Sequence, residues 1–341
     1  MTNPSNILIA RLSSIGDIIL TTAVVRSVRK AFPEARITFL VKKEFSALLI
    51  NNPNIDRVIT FDKSGGTEAL NQLKDQLKNE NYDWFIDLHN NLRTNYLKRS
   101  IRFPQVSTYS KQSFRRWLLV KIGRNMFSEA KPVYLRYFDA VQNYNISYDG
   151  KGTDVLVSDD EKLKVEQILS SDGIDVSKPL FVLCPGASFS NKQWIPSRFG
   201  ELADLLIEQR GGQLIFLGGP NDKHLCDDII NGMKQKALNY AGQLSLLGSA
   251  ALLSYAKVVI TNDSGMMHLA QSQKTAVVAI FGPTTRQLGF FPLETRSRVI
   301  EKEVDCRPCT TKGLNYCPKK HFNCMQNIST MDVMKASLEL L

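Results

Sequence analysis

Short apolar runs alternate with helix-like stretches along most of the chain. In the first half, β-branched and aromatic runs predict strands at Asn6–Arg11, Ile37–Val41, Val58–Phe61 and Trp84–Leu88. Apolar positions at helical spacing predict helices between them at Ile18–Phe32, Phe45–Ile50 and Thr67–Glu80. Such alternation is typical of a parallel, doubly wound sheet. We therefore predict an α/β, Rossmann-like domain over residues 1–155.

The alternation restarts after a polar, glycine-rich stretch at residues 148–154. It then predicts strands at Phe181–Cys184, Leu214–Gly218, Val258–Ile260 and Ala276–Phe281, and helices at Asp159–Ser171, Pro196–Arg210, His224–Lys236 and Met266–Gln273. We interpret residues 156–178 as a linker region and residues 179–325 as a second Rossmann-like domain. With two such domains in tandem, the cleft between them is the expected active site.

The turn Thr261–Gly265 connects the predicted strand Val258–Ile260 to the helix that follows it. In open α/β sheets ligands bind at the carboxyl ends of strands, and free N–H groups at a helix start suit a phosphate. Asp263 in this turn and His268 one turn later are therefore candidate site residues. An ordinary capped helix with a packed histidine explains the same residues.

Asp17 ends the loop Ser13–Asp17 after the first predicted strand, and Gly16 beside it permits a close approach by a ligand. A carboxylate in this loop is placed to take a proton from a hydroxyl, and a helix cap is the alternative role. The loop lacks the G-x-G-x-x-G pattern of dinucleotide-binding domains, which argues against a dehydrogenase.

Two loops in the second half carry candidate nucleotide ligands. Ser188 and Lys192 follow the strand that ends at Cys184 and are suited to hold a diphosphate, whereas a plain surface charge is the alternative for Lys192. Asp222 follows the strand Leu214–Gly218 and is a candidate ligand of a ribose hydroxyl, although a simple turn explains it equally.

The net charge of +10 is concentrated in the first half of the chain. Residues 1–150 hold 22 Lys or Arg against 13 Asp or Glu, and residues 93–136 hold 11 basic residues and one acidic residue, Glu129. This balance favours an anionic partner for the first half, although a solvated basic face would give the same count.

Aromatic and basic residues interleave near residue 115. Phe114 and Trp117 alternate with Arg115 and Arg116, which predicts a basic amphipathic helix. Such a helix either lies at a membrane surface or docks on its own domain with its basic residues outward.

No apolar run approaches the roughly 18 residues that a membrane-spanning helix needs. The N-terminus lacks a basic region followed by a long apolar core, so we expect no secretory signal and a cytoplasmic protein. In that compartment we expect the six cysteines to be mostly reduced.

Three motifs together resemble those of the family-nine glycosyltransferases, the ADP-heptose:lipopolysaccharide heptosyltransferases. They are R-L-S-S-I-G-D-I-I-L-T-T near the start, P-G-A-x-x-x-x-K-x-W in the middle and T-N-D-S-G-x-x-H-L-A late in the chain. The resemblance runs over most of the chain and implies a GT-B type fold of two Rossmann-like domains that face a central cleft. It places the acceptor on the first domain, the nucleotide-sugar on the second, and a final helix at residues 326–341 back on the first.

The resemblance also implies a role for the residues that match the motifs. Asp17 matches the general base of an inverting displacement, which needs no metal or other cofactor. The donor ADP-heptose is expected to contact Ser188, Lys192, Asp222, Asp263, Ser264, Gly265 and His268. The acceptor, the anionic lipopolysaccharide core, is expected to contact Ser14, Gly16, Arg93, Arg115 and Arg116. The enzyme would work in the cytoplasm, peripherally on the inner face of the cytoplasmic membrane, without a nucleic-acid partner.

Four cysteines near the C-terminus form the one metal candidate, outside the expected active site. Their spacing, with His321 among them, is similar to that of zinc and iron–sulfur sites: Cys306, Cys309, Cys317 and Cys324. Similar cysteine-bearing tails occur in many relatives, and a metal bound here would be structural. Reduced structural cysteines and a disulfide formed on handling are the alternatives.

The sequence therefore predicts a heptosyltransferase of lipopolysaccharide core synthesis. A transferase of the same fold that uses another nucleotide-sugar or acceptor is an alternative. A nucleotide-sugar epimerase is a second alternative and would need further acid/base residues. A noncatalytic nucleotide-sugar-binding protein is a third.

Overall fold

A computed structural model describes residues 3–292 and 296–341 of the chain. The chain divides into two compact units. The first unit comprises Met1–Ser113 and Lys131–Leu156, and the second comprises Phe114–Ala130 and Val157–Leu341. The chain therefore enters the second unit twice.

The first unit is built on a five-stranded parallel sheet. Its strands are β1 (Asn6–Ala10), β2 (Arg36–Lys42), β3 (Arg57–Phe61), β4 (Trp84–Asp87) and β5 (Gln105–Thr108). The helices up to residue 137 are α1 (Ile15–Ala31), α2 (Gly66–Lys78), α3 (Leu92–Ser100), α4 (Ser113–Ile122) and α5 (Val133–Tyr137). The strand order β3-β2-β1-β4-β5 changes direction between β1 and β4, and such a switch point is where open α/β sheets bind ligands.

The second unit is built on a six-stranded parallel sheet. Its strands are β6 (Leu180–Cys184), β7 (Gln213–Phe216), β8 (Leu238–Asn239), β9 (Val258–Asn262), β10 (Ala276–Phe281) and β11 (Ser297–Glu301). The later helices are α6 (Asp159–Ser171), α7 (Pro196–Arg210), α8 (Lys223–Asn231), α9 (Leu246–Tyr255), α10 (Gly265–Ser272), α11 (Asn323–Gln326) and α12 (Thr330–Leu338). The order β11-β10-β9-β6-β7-β8 is that of a Rossmann fold, with its switch point between β6 and β9. The predicted α/β fold with two Rossmann-like domains is confirmed.

Each unit has its own apolar core because its central strands are buried on both faces. In the first unit Leu8 of β1 packs in one cluster with Leu40 of β2 and Phe85 of β4. In the second unit Leu183 of β6 and Ile260 of β9 are register partners and belong to one buried cluster. These continuous apolar strands are typical of parallel sheets.

Residues 157–178 of the predicted linker region 156–178 are instead part of the second unit. Helix α6 packs on α9 and buries Val165 and Leu169. A polar stretch at residues 148–154 suggested a boundary, but the apolar face of α6 needs a partner and finds it in the second unit.

The final helix also differs from its prediction. Val333 and Met334 of α12 are fully buried in the core of the second unit, where α12 contacts α7 and β11. Just before α12, the carbonyl of Ile328 accepts hydrogen bonds from Trp194 Nε1 (3.0 Å) and Arg198 Nη1 (2.6 Å). The prediction that residues 326–341 pack on the first domain is therefore wrong.

Helix α4 was predicted within the first domain, but Phe114–Ala130 belongs to the second unit. Leu119 is buried, and the Arg116 guanidinium lies 5.7 Å from the centre of the Phe290 ring. Arg116 Nη2 also donates to the carbonyl of Leu288 over 3.4 Å. These contacts dock the inner side of α4 on the second unit.

Across residues 3–292 and 296–341, none of the helices combines the length and the apolar character that crossing a membrane requires.

Candidate active site

The loops after β1 and β4 meet at the switch point of the first sheet. The N–H of Leu12, just beyond β1, donates to Nδ1 of His89, just beyond β4, over 3.0 Å. Arg11 Nη1 donates to the carbonyl of Leu88 over 2.7 Å. Residues that follow neighbouring parallel strands are thereby joined at one edge of the sheet.

Arg11 presents its side chain to Asp17 in a fixed orientation. Its Nε donates to the Ser13 carbonyl over 2.8 Å, and its Nη2 lies 2.5 Å from Asp17 Oδ1. The guanidinium also lies 5.7 Å from the centre of the Tyr137 ring, whose hydroxyl donates to Asp17 Oδ1 over 3.4 Å. Three elements therefore converge on one carboxylate oxygen: the end of β1, the start of α1 and the returning segment 131–156.

The second oxygen of Asp17 is used as a helix cap. Asp17 Oδ2 accepts hydrogen bonds from the Ser14 hydroxyl (2.9 Å) and the Ser14 N–H (3.2 Å). Helix α1 begins at Ile15, so Asp17 lies in its first turn and not in a loop, which corrects the predicted loop Ser13–Asp17. The two alternative roles of Asp17 are compatible because they fall on different oxygens.

The environment of Asp17 keeps it ionised. Burial by itself would raise the pKa of Asp17, but the charge of Arg11 and the hydrogen bonds from Ser14 outweigh it and hold this pKa below its ordinary value. The start of α1 favours the same ionised form. The side chain remains 17 % exposed, so an incoming hydroxyl has a path to it.

His89 is neutral beside this carboxylate. Burial and the charges of Arg11 and Lys111 lower the pKa of His89 to about 3, against the opposing charges of Asp17 and Asp87. Because Nδ1 accepts the Leu12 N–H, the ring proton lies on Nε2. His89 Nε2 lies 3.2 Å from Asn91 Nδ2, so His89 is a neutral member of the site and not a second base at physiological pH.

In the second unit, Asn262 at the end of β9 ties together the loop after β6. Its Oδ1 accepts the N–H of Trp194 over 3.0 Å, and its Nδ2 donates to the Pro185 carbonyl over 2.7 Å. The loop that carries Lys192 is thus held against the end of the neighbouring strand.

Lys192 and Asp263 meet at this switch point. Lys192 Nζ lies 2.6 Å from Asp263 Oδ2, and both side chains are largely buried, at 13 % and 6 % exposure. Asp263 Oδ2 also accepts the Thr284 hydroxyl over 2.8 Å. Ser264 caps α10, which begins at Gly265, through a hydrogen bond from the Met266 N–H. An ammonium and the N-terminus of a helix therefore lie on one stretch of the sheet edge.

Asp222 lies beside two glycines at the ends of β6 and β7. A Cβ built on Gly186 would come within 2.2 Å of Asp222 Cγ, and one on Gly218 within 2.7 Å of its carboxylate. Asp222 Oδ2 accepts the Gly219 N–H over 2.8 Å. Burial nevertheless raises the pKa of Asp222, against this hydrogen bond. A further hydrogen-bond donor, for example a hydroxyl, would therefore stabilise the ionised form of Asp222.

The other donor candidates differ in exposure. Ser188 is exposed in the loop after β6, whereas His268 is buried inside α10. Among the acceptor candidates, Ser14 and Gly16 lie at the start of α1 beside Asp17, and the Arg93 guanidinium lies over the Phe61 ring at 5.7 Å. Arg115 and Arg116 lie in the second unit, contrary to their predicted place on the first domain.

The cysteine candidate does not form a ligand set. All six cysteines are free, and Cys306 Sγ lies 3.8 Å from Nε2 of His321. Within the part of the chain that the structure describes, no three His, Cys, Asp or Glu side chains are grouped to hold a metal ion. The four cysteines nevertheless lie in one region: burial, followed by the charge of Cys309 and smaller contributions from Cys306 and Cys317, raises the pKa of Cys324 to about 11 against the charge of Arg307.

The comparison with protein families decides the identity of this fold. A model of glycosyltransferase family 9 (heptosyltransferase) matches residues 70–319. The chain belongs to glycosyltransferase family 9. Among the relatives of this family 9 glycosyltransferase is the lipopolysaccharide core heptosyltransferase OpsX of Haemophilus influenzae, 26% identical over 281 residues that cover 82% of this chain and 79% of that protein.

Solved structures show the same fold. The family 9 glycosyl transferase from Veillonella parvula superposes with a TM-score of 0.82 at 24% identity, covering 98% of this chain and 97% of that one. The Escherichia coli heptosyltransferase WaaC with ADP-2-deoxy-2-fluoro heptose has a TM-score of 0.70 at 18% identity, covering 98% and 100%.

The family match includes Lys192 and Asp263 of this family 9 glycosyltransferase but begins after Asp17. Sequence reasoning missed Arg11, His89 and Tyr137 as members of the first site. Arg11 and His89 have a signal in the sequence, since Arg11 directly follows the buried strand β1 and His89 lies two residues beyond the buried strand β4. Tyr137 carries none, because only the tertiary fold returns residues 131–156 to α1.

Proposed function

We propose that the protein transfers heptose from ADP-heptose to a hydroxyl of the lipopolysaccharide inner core by an inverting displacement, with Asp17 as general base. The observation that carries the proposal is the Asp17 carboxylate, kept ionised at the switch point of the first sheet by Arg11 and Ser14. The donor analogue bound to the E. coli enzyme and the name of the Haemophilus relative support these substrates.

In this reaction the acceptor oxygen attacks the anomeric carbon while the bond from that carbon to the ADP oxygen breaks. The electron pair of the broken bond leaves with ADP, and the hydroxyl proton passes to Asp17. A carboxylate of low pKa is a weak base, so the proton moves late, when the forming bond has made the hydroxyl acidic. Arg11 therefore serves mainly to fix the position and charge of Asp17.

The second unit would stabilise the leaving ADP. Lys192 supplies a cation, Ser188 a hydroxyl, and Ser264 and Gly265 the positive end of α10. Lys192 is paired with Asp263. A bound diphosphate would therefore take the place of the Asp263 carboxylate as the anionic partner of the Lys192 ammonium. Asp222 would accept a hydrogen bond from a ribose hydroxyl.

The acceptor would bind the first unit. Ser14 and Gly16 flank Asp17, and Arg93 provides a cation for the anionic core. The Arg116 guanidinium is engaged with Phe290 and Leu288 within the second unit, so we no longer assign it to the acceptor. The enzyme would act in the cytoplasm, peripherally on the inner face of the membrane.

A transfer assay with ADP-heptose and a heptose-deficient lipopolysaccharide core tests the proposal. Asp17→Asn should lower kcat by roughly 10²- to 10⁴-fold, the usual contribution of a general base, while calorimetry shows unchanged ADP-heptose affinity. The matched control is Asp56→Asn, which removes another carboxylate paired with an arginine in the same unit.

Four results would contradict separate parts of the proposal. Transfer by Asp17→Asn near the wild-type rate would exclude Asp17 as the base. A product that keeps the anomeric configuration of the donor, determined by NMR, would exclude a single displacement. Tighter binding of UDP or GDP than of ADP would exclude the assigned donor, and release of an altered sugar nucleotide without acceptor would favour an epimerase.

A further inference from the structure

Large apolar side chains are exposed on the outer side of α4 and just beyond it. Phe114 is 68 %, Trp117 50 %, Ile122 60 % and Met126 44 % exposed. The Phe114 and Trp117 rings are stacked, with centroids 6.2 Å apart and an interplanar angle of 16°. Exposing four such side chains to water is unfavourable, so binding of a partner that covers this surface would be favourable.

The helix cannot remove these residues from water by rotating. Its inner side is occupied, since Leu119 is buried and Arg116 is engaged with Phe290 and Leu288. The helix ends at Ile122, and the φ of +73° at Gly123 lets the Arg124 N–H donate to the Leu118 carbonyl over 3.2 Å. The helix therefore docks on its own unit, while Phe114 and Trp117 on its other side are exposed.

Positive charge surrounds the exposed apolar residues. Arg115, Lys121 and Arg124 are exposed, and residues 113–128 contain no acidic residue. Tryptophan beside apolar and basic residues on one helix side is the composition of segments that lie in the interface of an anionic bilayer. Arginine and lysine can keep their charges at the headgroups while their stems cover apolar surface.

We propose that Phe114, Trp117, Ile122 and Met126, with Arg115, Lys121 and Arg124, form a docking surface for a bilayer of anionic phospholipids. The choice of this partner rests on charge complementarity, and it deepens the proposed location of the enzyme at the membrane. The surface projects side chains outward from a helix, and such a shape suits insertion between headgroups. Docking here would hold the enzyme on the lipid surface that carries its acceptor.

Trp117 provides a built-in reporter. The chain has three tryptophans, of which Trp84 and Trp194 are 0 % and 1 % exposed. We therefore expect vesicles of phosphatidylglycerol and phosphatidylcholine in equal amounts to bind the full-length protein and shift its tryptophan emission to shorter wavelength. Brominated phospholipids should quench this emission, and vesicles of phosphatidylcholine alone should bind far more weakly.

Matched variants separate this surface from the rest of the protein. Phe114→Ser/Ile122→Ser should lower the partition coefficient at least about tenfold, and Lys121→Gln/Arg124→Gln about fivefold for each charge removed. The control Leu163→Ser/Ile168→Ser removes two exposed apolar side chains from α6, which are 55 % and 40 % exposed, and should bind vesicles like the wild type.

Equal vesicle binding by the wild type and Phe114→Ser/Ile122→Ser would overturn the proposal, as would vesicle binding that leaves the Trp117 emission unchanged. A wild-type dimer that dissociates in this variant, without vesicle binding, would assign the surface to a second copy instead. Transfer to a detergent-solubilised acceptor should be unchanged in Phe114→Ser/Ile122→Ser. Absence of transfer in every variant, with vesicle binding intact, would refute the proposed reaction and leave the docking surface standing.

Discussion

Replacing Arg11 by methionine tests how the first site controls its carboxylate. The change removes the charge 2.5 Å from Asp17 Oδ1 but keeps much of the apolar stem. Burial then acts on Asp17 with less opposition, so its pKa should rise. Since only the ionised form accepts a proton, activity should begin at a higher pH than in the wild type.

The size of this shift follows from the geometry. Two unit charges with centres roughly 4 Å apart interact by about 4 kcal/mol at an effective dielectric constant of ~20. At about 1.4 kcal/mol per pKa unit this is an upper bound of roughly three units. The Asp17 side chain is 17 % exposed and keeps its bonds from Ser14, so we expect a rise of about one to two units.

The assay is the pH dependence of kcat/KM, which reports ionisation in the free enzyme. The acid limb should move up in pH in Arg11→Met and stay near its wild-type position in Arg11→Lys. Arg29→Met is the control, because Arg29 also donates to two carbonyls and pairs with a carboxylate, Asp56, at 2.5 Å. If the Arg11→Met and Arg29→Met profiles coincide, Arg11 does not set the ionisation of the base.

The same pair predicts a pH-dependent stability. The pKa of Asp17 is lowered in the folded protein, so the pair stabilises the fold above the ordinary pKa of aspartate. This contribution is lost as the pH falls through the lowered pKa. The difference in unfolding free energy between wild type and Arg11→Met should therefore shrink in acid, as urea denaturation at several pH values would show.

Three further predictions concern the donor loops and His89. Lys192→Met leaves buried Asp263 without its cation and should cost about 3 kcal/mol or more of unfolding free energy. The double variant Lys192→Met/Asp263→Asn should restore stability but not ADP affinity. Tight ADP binding by this double variant would exclude a role of Lys192 at the diphosphate. Gly186→Ala should displace Asp222 and lower the Tm and the ADP affinity. Gly219→Ala should resemble the wild type, because a Cβ there would lie 3.8 Å from Asp222 Oδ2. If both variants lower the Tm and the ADP affinity equally, Asp222 is not held as described. NMR should show no titration of His89 between pH 5 and 9, since its pKa is about 3; a midpoint near 6.5 would contradict its burial.

Elements with strong periodicity were predictable from sequence. Helices α6 and α7 and strand β10 have the predicted bounds, because each has a continuous apolar run or face. Strands β5 and β8 were missed, since they are short edge strands with little buried surface. The start of α1 was misplaced, although Ser14 and Asp17 have the spacing of a capping box.

The two sites differ in how far sequence could predict them. Lys192 and Asp263 follow strands that are neighbours in the Rossmann strand order. Their proximity could therefore be predicted from the topology. Tyr137 reaches Asp17 through a segment without periodicity, and only tertiary packing determines that path. The final helix was misplaced for a related reason. The apolar pattern of residues 330–338 indicates that one face of the helix is buried, but it does not indicate which part of the protein covers that face.

The double entry of the chain into the second unit has a practical consequence for dissecting the enzyme. The polypeptide passes between the units at residues 113–114, 130–131 and 156–157. One proteolytic cut near Leu156 severs the chain, but residues 114–130 stay on the N-terminal fragment and still pack within the second unit, so the two fragments remain associated without a covalent bond. A recombinant fragment that ends at Leu156 would carry Leu119 and its neighbours without the surface on which they fold, which favours aggregation. Isolating either half as a soluble piece therefore requires excising residues 114–130 from the first and supplying them to the second.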